Sequence, residues 1–559
     1  MKLGASAFTI PFARAGLSRI CRWHPLNIGK AKRHRGIHAY PNRLAGSGAI
    51  RYLCGRRLIL AVFAFCFAHL NACTYVPFET NRPTQNALPP AQSTVSRLEN
   101  VSGTKLSGNQ VVLAPLGNGN DALGARLRMI EQAEASIDLK TFLIKPDTAG
   151  ALIWLALYDA AERGVKIRLL YDDVFTSARD EEIATLDAHP NVEIRAFNPL
   201  SRNSTLAVNF LLDFRRVNRR MHNKAFIVDG ALAIVGGRNI ADEYYQIETE
   251  SEFADFDLFV AGPPVEQISD AFDLFWNDEW AVPVESFARG DPTLLSEAVT
   301  VLRAVPDAPA SKVYRGAVNS QYLRDLREGM KPSYRGAAYV VTDDPEKLRR
   351  PPGQGPFKVG NAFYNTLLSA KREVLIVTPY FVPEDYGADI FERLVSRGLR
   401  VRIITNSLAS TNHAYVHGSY AKYRNRLLES GIEFIEVRAD APLIAEGSRT
   451  PLVLHSKLAI IDAERLFVSS TNIDPRSIRQ NTEIGMIIES PQLASDMLNQ
   501  WNAEVGDYVF DVVAGPGGEP IWRYEGAGIS EIYYDEPNAG FVRKLIARLT
   551  GWLPVEQQL

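Results

Sequence analysis

The chain has 559 residues, 62 of them Lys or Arg and 64 Asp or Glu, for a formal net charge of −2. Twelve of the basic residues fall in the first 57, which hold no acidic one, so the remainder carries 50 against 64, a net of −14. Such an acidic body lacks the cationic contacts that supply most non-specific affinity for nucleic acid, and with all four cysteines (Cys21, Cys54, Cys66, Cys73) at or before position 73 it holds no disulfide framework or Cys-ligated metal.

Residues 58–70 form an apolar run broken only by His69. As a helix the run reaches about 20 Å, short of the roughly 30 Å of a hydrocarbon core. Its length and the flanking Arg56-Arg57 fit the apolar region of a signal peptide. Leu70-Asn71-Ala72-Cys73 then resembles a lipoprotein cleavage box with Cys73 as the lipidated residue, although Asn71 is unusual there. Cleavage at Cys73 and retention as an uncleaved anchor both remain open, and both export the catalytic part to the periplasmic side of a membrane. The tract before the run is longer than export needs, which sets an alternative start near Leu53. Residues 74–110, rich in Pro, Asn, Ser and Thr without apolar periodicity, read as a linker.

From position 111 onward the chain repeats itself. A helix over 122–135 and a strand over 136–142 are answered by 362–371 and 373–381. A helix and strand at 155–163 and 165–171 are answered by 390–397 and 399–406, and strands at 192–197 and 432–437 follow. Alternating β and α at these lengths predicts an α/β fold with mixed or parallel sheets. The chain is thus expected to hold two similar domains, 111–300 and 356–515, related as a pseudo-twofold dimer. A connecting segment at 301–355 and a tail at 516–559 complete the division, after 1–73 and the 74–110 linker.

Inside the repeat lies a closer one. His222-x-Lys224 is followed by Asp229 and Asn239, and His455-x-Lys457 by Asp462 and Asn472, with identical spacings. Alternate residues of an extended strand share a face, so each His and Lys point the same way, whereas Asp229 and Asp462 point away and suit a structural, strand-bracing role. The apolar runs 225–228 and 458–461 read as strands buried on both faces. Gly236-Gly237 and Ser469-Ser470 precede the asparagines, where backbone can approach a bound group. A neutral imidazole beside a fixed ammonium and an amide suits attack on a phosphodiester, with Lys and Asn on the phosphate oxygens. Two copies supply a nucleophile and an acid.

The paired His-x-Lys-(four residues)-Asp motifs with a trailing Asn resemble the phospholipase D superfamily, from about Val111 onward. The sequence Thr378-Pro379-Tyr380-Phe381-Val382-Pro383, the Asn-Ile pair after each motif and the lead-in Asn218-Arg219-Arg220-Met221-His222 resemble its bacterial cardiolipin synthase-type branch. The resemblance implies transfer of a phosphatidyl group to the hydroxyl of phosphatidylglycerol through a phosphohistidine, with His222 as nucleophile and His455 as acid/base. Hydrolysis to phosphatidic acid is the alternative; an exported nuclease or a non-catalytic lipid-binding module fits the acidic body and the complete motifs less well. The implied partners are phospholipids (phosphatidylglycerol, with phosphatidylethanolamine a further donor) and a membrane surface, with no nucleic acid, no cofactor and no metal.

The resemblance also implies a carboxylate that bonds each histidine ring. Glu483, 28 residues after His455, is that acid in the second half. Aligning 258–260 with 486–488 gives Asp255 as its counterpart, with Asp257 the alternative. The Arg215, Arg216, Arg219, Arg220 cluster pairs like charges at helical spacing, which suits a face turned to an anion, with a solvated face the alternative. Arg219 and Arg220, with Arg238, Ser470 and Arg476, are therefore candidate headgroup-phosphate ligands. His413 and His417 share a helical face with Tyr420 but have no partner acids at ligand spacing. The two imidazoles of the motifs are expected to titrate as a coupled pair, one neutral and one protonated. Residues 540–553 place Phe541, Leu545, Leu549 and Trp552 on one helical face, which fits either a membrane interface or packing on the body.

Overall fold

The computed structural model describes residues 74–559 apart from 248–250, 304–308, 329, 331–332, 352, 446–449, 554–555 and 557–559. The signal-peptide tract and Cys73 lie outside the described residues. Among the described residues, no helix is long and apolar enough to cross a membrane.

Ten strands belong to the first half of the chain or precede its second motif block: β1 Gln110–Leu116, β2 Ser136–Thr141, β3 Lys166–Asp172, β4 Val192–Phe197, β5 Ala225–Val228, β6 Leu232–Gly236, β7 Glu252–Ala254, β8 Asp257–Ala261, β9 Ala281–Pro283 and β10 Tyr334–Thr342. Ten more follow: β11 Glu373–Val377, β12 Arg400–Asn406, β13 Glu433–Val437, β14 Leu452–Leu454, β15 Leu458–Ile461, β16 Arg465–Ser469, β17 Ile484–Glu489, β18 Val509–Ala514, β19 Pro520–Gly526 and β20 Ile529–Tyr533. Eighteen of them join into a single sheet in the order 9-4-3-2-5-6-8-1-10-17-16-15-11-12-13-18-19-20. From the β1–β10 junction outward the order reads alike in both directions: β8, β6, β5, β2, β3, β4 on one side match β17, β16, β15, β11, β12, β13 on the other. The central β2-β3-β4 and β11-β12-β13 ladders are parallel, each crossover carrying a helix, and the strands around them are antiparallel. This is the expected α/β pair of like domains with mixed sheets.

β5 (AFIV) and β15 (LAII) are buried along their whole length, as strands covered on both faces must be. One core cluster lies under the first half's helices and another under the second's. A third draws Phe272, Phe275 and Trp276 from one half together with Leu466, Met486 and Met497 from the other, so the apolar core runs across the junction. Asp229 and Asp462 brace the strand ends. Each has positive φ (54° and 57°). Asp229 accepts the backbone N–H groups of Glu134, Ala135 and Ser136, and Asp462 those of Lys371, Arg372 and Glu373.

Three segments depart from the sequence reading. The 74–110 stretch is not a free tether: it contains the helix Gln92–Ser102, and Thr94 donates to Asp229 at 2.8 Å while Ala87 N–H donates to Asp273 at 2.6 Å. Within 301–355, β10 completes the junction, pairing with β1 and β17. Its half-exposed pattern carries no strong apolar signal, because cross-half pairing defines it. Within 516–559, β19 and β20 extend the second sheet. The helix Phe541–Trp552 docks on the helix Ala414–Glu429 through Ala547, at a notch where a Cβ on Gly418 would come within 2.3 Å of Ala547 O. Its Phe541, Leu545, Leu549 and Trp552 remain exposed.

Candidate active site

Each histidine approaches the other half through parallel pairing. Met221 bridges Thr482, and β14 pairs with β7 so that Leu454 lies opposite Ala254. The next residue along each segment is the functional one: His222 beside Glu483, and His455 beside Asp255. His222 Nδ1 lies 3.0 Å from both carboxylate oxygens of Glu483, and His455 Nδ1 lies 2.6 Å from Asp255 Oδ2. Glu483 thus serves the histidine of the first half and Asp255 that of the second. The chain-order pairing of Glu483 with His455 is corrected: the short parallel ladders carry each acid across. Asp257, the alternative to Asp255, instead accepts from Arg126 at 2.8 Å.

A carboxylate on Nδ1 fixes the proton there and leaves the lone pair on Nε2, a tautomer assigned from the hydrogen bond. Lys224 Nζ donates to His222 O at 2.7 Å and sits 5.1 Å from the Phe142 ring; Lys457 Nζ donates to His455 O and lies 2.9 Å from His455 Nδ1. All six side chains are buried. Burial pushes Lys224 down to about 7, against the pull of Glu483, and lowers Lys457 as well. Burial also pushes Glu483 up to about 7, with Lys224 and Ser470 opposing. For Asp255 burial acts upward too, but Lys457 and His455 outweigh it and hold the group at about 2. Burial and then the lysines depress both imidazoles, His455 to about 3 and His222 well below its ordinary value. Both rings are thereby held toward the neutral form, where the sequence reading expected one neutral and one protonated.

The turns before the asparagines have a tighter use than backbone approach to a ligand. A Cβ at Gly237 would stand 2.2 Å from Asp255 Oδ1, so glycine makes room for that carboxylate. At the equivalent Ser470 the hydroxyl donates to Glu483 at 2.5 Å, so Ser470 holds the acid and is not a phosphate ligand. Asn239 donates to Tyr244 OH at 2.8 Å. The Oδ1 atoms of Asn239 and Asn472 and the hydroxyl of Thr471 are buried with no hydrogen-bond partner, polar capacity that a bound substrate would use.

The candidate arginines bond chiefly to the protein itself. Arg220 pairs with buried Asp172 at 2.7 Å and donates to Asn198 O. Arg238 donates to the carbonyls of Leu116, Gly117, Tyr244 and Asp255. Arg219 donates to the carbonyls of Leu348 and Arg350, and Arg476 donates to Asn218 at 3.0 Å. The lead-in helix stops at Val217, so the predicted face of like charges does not form; Arg220 is taken by buried acceptors, whereas the Nη2 group of each of Arg216 and Arg219 is buried without a hydrogen-bond partner and Arg215 is exposed. His413 is half-buried beside Tyr380 and Tyr415, and His417 is buried beside Tyr420 with its Nε2 3.2 Å from Glu536. No three His, Cys, Asp or Glu side chains among the described residues are arranged to hold a metal ion. A cleft of about 920 Å³ bounded by Pro89, Asp270, Asp273 and Arg349 includes no motif residue.

Sequence reasoning missed the aromatic walls. Phe142 meets the His222 ring edge-on at 4.8 Å; Phe253 stacks on His455 at 5.2 Å and Tyr244 meets it edge-on at 5.2 Å. Phe253 lies on β7, two residues before Asp255, which follows the strand's end, the one spacing that could have flagged it.

Residues 127–276 and 363–504 match the family described as "Cardiolipin synthase, PLD-like domain". The chain belongs to that family. It is an enzyme of the phospholipase D type. It is 33% identical over 458 residues to "Cardiolipin synthase C" of Escherichia coli K12, covering 80% of this chain and 96% of that protein. It is 24% identical to "Cardiolipin synthase" of Oceanobacillus iheyensis, over 69% of this chain and 67% of that one. The fold is similar to the crystal structure of phosphatidylserine synthase from Haemophilus influenzae Rd KW20, with TM-score 0.52 at 15% identity over 80% of this chain and 95% of that one.

Proposed function

We propose that the two halves form one site that transfers a phosphatidyl group between phospholipids, making cardiolipin from phosphatidylglycerol. The observation that supports this reading is the crossing of Glu483 and Asp255, each bonding the imidazole of the other half beside a buried lysine, with the charges of Lys457 and Asp255 felt at His222. His222 Nε2 attacks the donor phosphorus, forming an N–P bond as the P–O bond to the leaving alcohol breaks. His455 gives that oxygen its proton. It then takes the proton of the acceptor hydroxyl, whose oxygen forms the new P–O bond as N–P breaks. Lys224 and Lys457 hold the phosphate oxygens and the Thr471 hydroxyl can donate to them, whereas the unpartnered Asn239 and Asn472 Oδ1 atoms are acceptors suited to a substrate hydroxyl. An arriving phosphodiester anion offsets the lysine charges that depress the rings and so favours protonation of one of them. Asp255, ionised, supports an imidazolium on His455 better than Glu483, pushed toward neutrality, supports one on His222. This difference favours His222 as the attacking ring.

Export, with Cys73 lipidated and the site on the periplasmic side, completes the reading and rests on the N-terminal sequence. Purified protein incubated with phosphatidylglycerol, with and without phosphatidylethanolamine, is expected to yield cardiolipin. Phosphatidic acid as the sole product would make water the acceptor. A diester with a p-nitrophenol leaving group needs little protonation, so it is expected to restore the first step in His455→Ala but not in His222→Ala, where loss of the acid otherwise costs about 10²- to 10⁴-fold. Rescue of His222→Ala instead would reverse the two roles.

A further inference from the structure

The helix Leu206–Leu212 is built inside out. Its sequence is Leu-Ala-Val-Asn-Phe-Leu-Leu, and its buried residue is the polar one, Asn209. Asn209 accepts from Ser201 N–H at 2.9 Å and donates to Ser201 O and to the Ser204 hydroxyl. Polar bonds to the preceding loop thus hold the helix down. Leu206, Leu211 and Leu212 are exposed, Leu211 by 80%, and Phe214 just beyond is half-exposed. A helix that packs its apolar side inward needs no such arrangement. An outward apolar cluster of this kind marks a contact surface.

Its place in the fold says what it contacts. The segment runs from the end of β4 to His222, and Arg202 ties it to Asp173 just past β3, by the bond to Asp173 Oδ1 at 2.8 Å. In the adjoining loop Phe175 is 61% exposed and packs edge-on against Phe142 at 5.5 Å, which in turn touches the His222 ring. An apolar path therefore leads from the surface to the histidine. Exposed Arg215 adjoins the cluster, a cation suited to anionic headgroups.

We propose that the helix Leu206–Leu212, with Phe214 and Phe175, docks into the headgroup boundary of a phospholipid bilayer and delivers substrate to His222. The inference deepens the proposed phosphatidyl transfer and rests on it for the identity of the cargo. A two-chain lipid must bring its phosphorus to a buried ring while its acyl chains stay out of water, and a surface-seated apolar path meets both needs.

The test uses the full chain, vesicles containing phosphatidylglycerol, and a short-chain phosphatidylglycerol dispersed as monomers. Changing Leu206→Ser, Leu211→Ser and Phe214→Ser together is expected to weaken vesicle binding at least about tenfold, since each large apolar side chain moved from water to lipid is worth roughly that factor. Turnover on vesicles falls with it, whereas turnover of the monomeric lipid is kept. A Leu211→Trp protein is expected to be quenched by brominated lipid, which reads the contact even if the triple variant is unstable. Unchanged vesicle binding overturns the proposal, as does equal loss on both lipids or an absence of quenching. So does a wild-type oligomer that the triple variant dissolves, because the cluster would then join two copies. If wild type turns over neither lipid yet binds vesicles through this helix, the transfer reading fails and the docking stands.

Discussion

At the residue scale, the two acids are the informative groups. Asp255 is ionised throughout the useful pH range, held at about 2 against its burial by Lys457 and His455. Glu483 and Lys224 both sit near 7, the acid raised and the base lowered by the same burial. The competent site has Glu483 ionised, to hold His222 Nδ1–H, and Lys224 charged, to hold phosphate. Below about 7 the first condition fails, and above about 7 the second fails. We therefore expect a narrow bell for kcat/KM centred near 7, its limbs belonging to a coupled acid–lysine pair. Glu483→Gln is expected to abolish the acidic limb and lower the maximum by about 10- to 100-fold, and Lys224→Arg to carry the alkaline limb beyond the accessible range, because a guanidinium stays charged. An acidic limb that persists in Glu483→Gln would assign it to another group. The His, Lys and Asp positions were legible because their spacing repeats. The uses of Ser470 and the arginines were not, since a side chain's partner is set by packing between distant segments: Arg220 finds Asp172 48 positions away.

At the element scale, periodic apolar runs located the strands that both halves bury, β2 to β5 and their counterparts, because burial on two faces writes itself into composition. Elements whose register depends on a distant partner, such as β10 and β20, left no comparable trace. The helix Phe541–Trp552 joins the two expectations held for it: small residues dock it on the body while its large apolar residues face out, Trp552 by 90%. Its attachment depends on Gly418, whose missing Cβ admits the Ala547 carbonyl. Gly418→Leu is expected to force the two helices apart at a cost of about 1 to 3 kcal/mol. Hydrogen exchange over 541–552 should then accelerate while exchange in β11 and β12 is unchanged. Equal protection in both proteins would mean that other contacts carry the docking.

At the scale of the whole molecule, the repeat predicted two like domains but not how completely they share their parts. The sheet passes through the β1–β10 junction without a break, one core cluster spans both halves, and each histidine is held by the other half's carboxylate. Neither half holds a complete His–acid pair of its own, so the site exists only when both are folded against each other. Chain order hid this, because each acid lies in sequence behind the histidine it does not serve. The crossing has a spectroscopic consequence that needs no catalytic activity. With the imidazoles labelled by ¹⁵N and assigned by His222→Gln and His455→Gln, Glu483→Gln removes the acceptor from His222 alone. The Nδ1 resonance of His222 should shift as its tautomer preference weakens, and that of His455 should stay in place. Asp255→Asn should do the reverse, shifting His455 and sparing His222. If instead Glu483→Gln moved the His455 signal, each acid would belong to the histidine of its own half, and the pseudo-dimer would carry two separate sites in place of one.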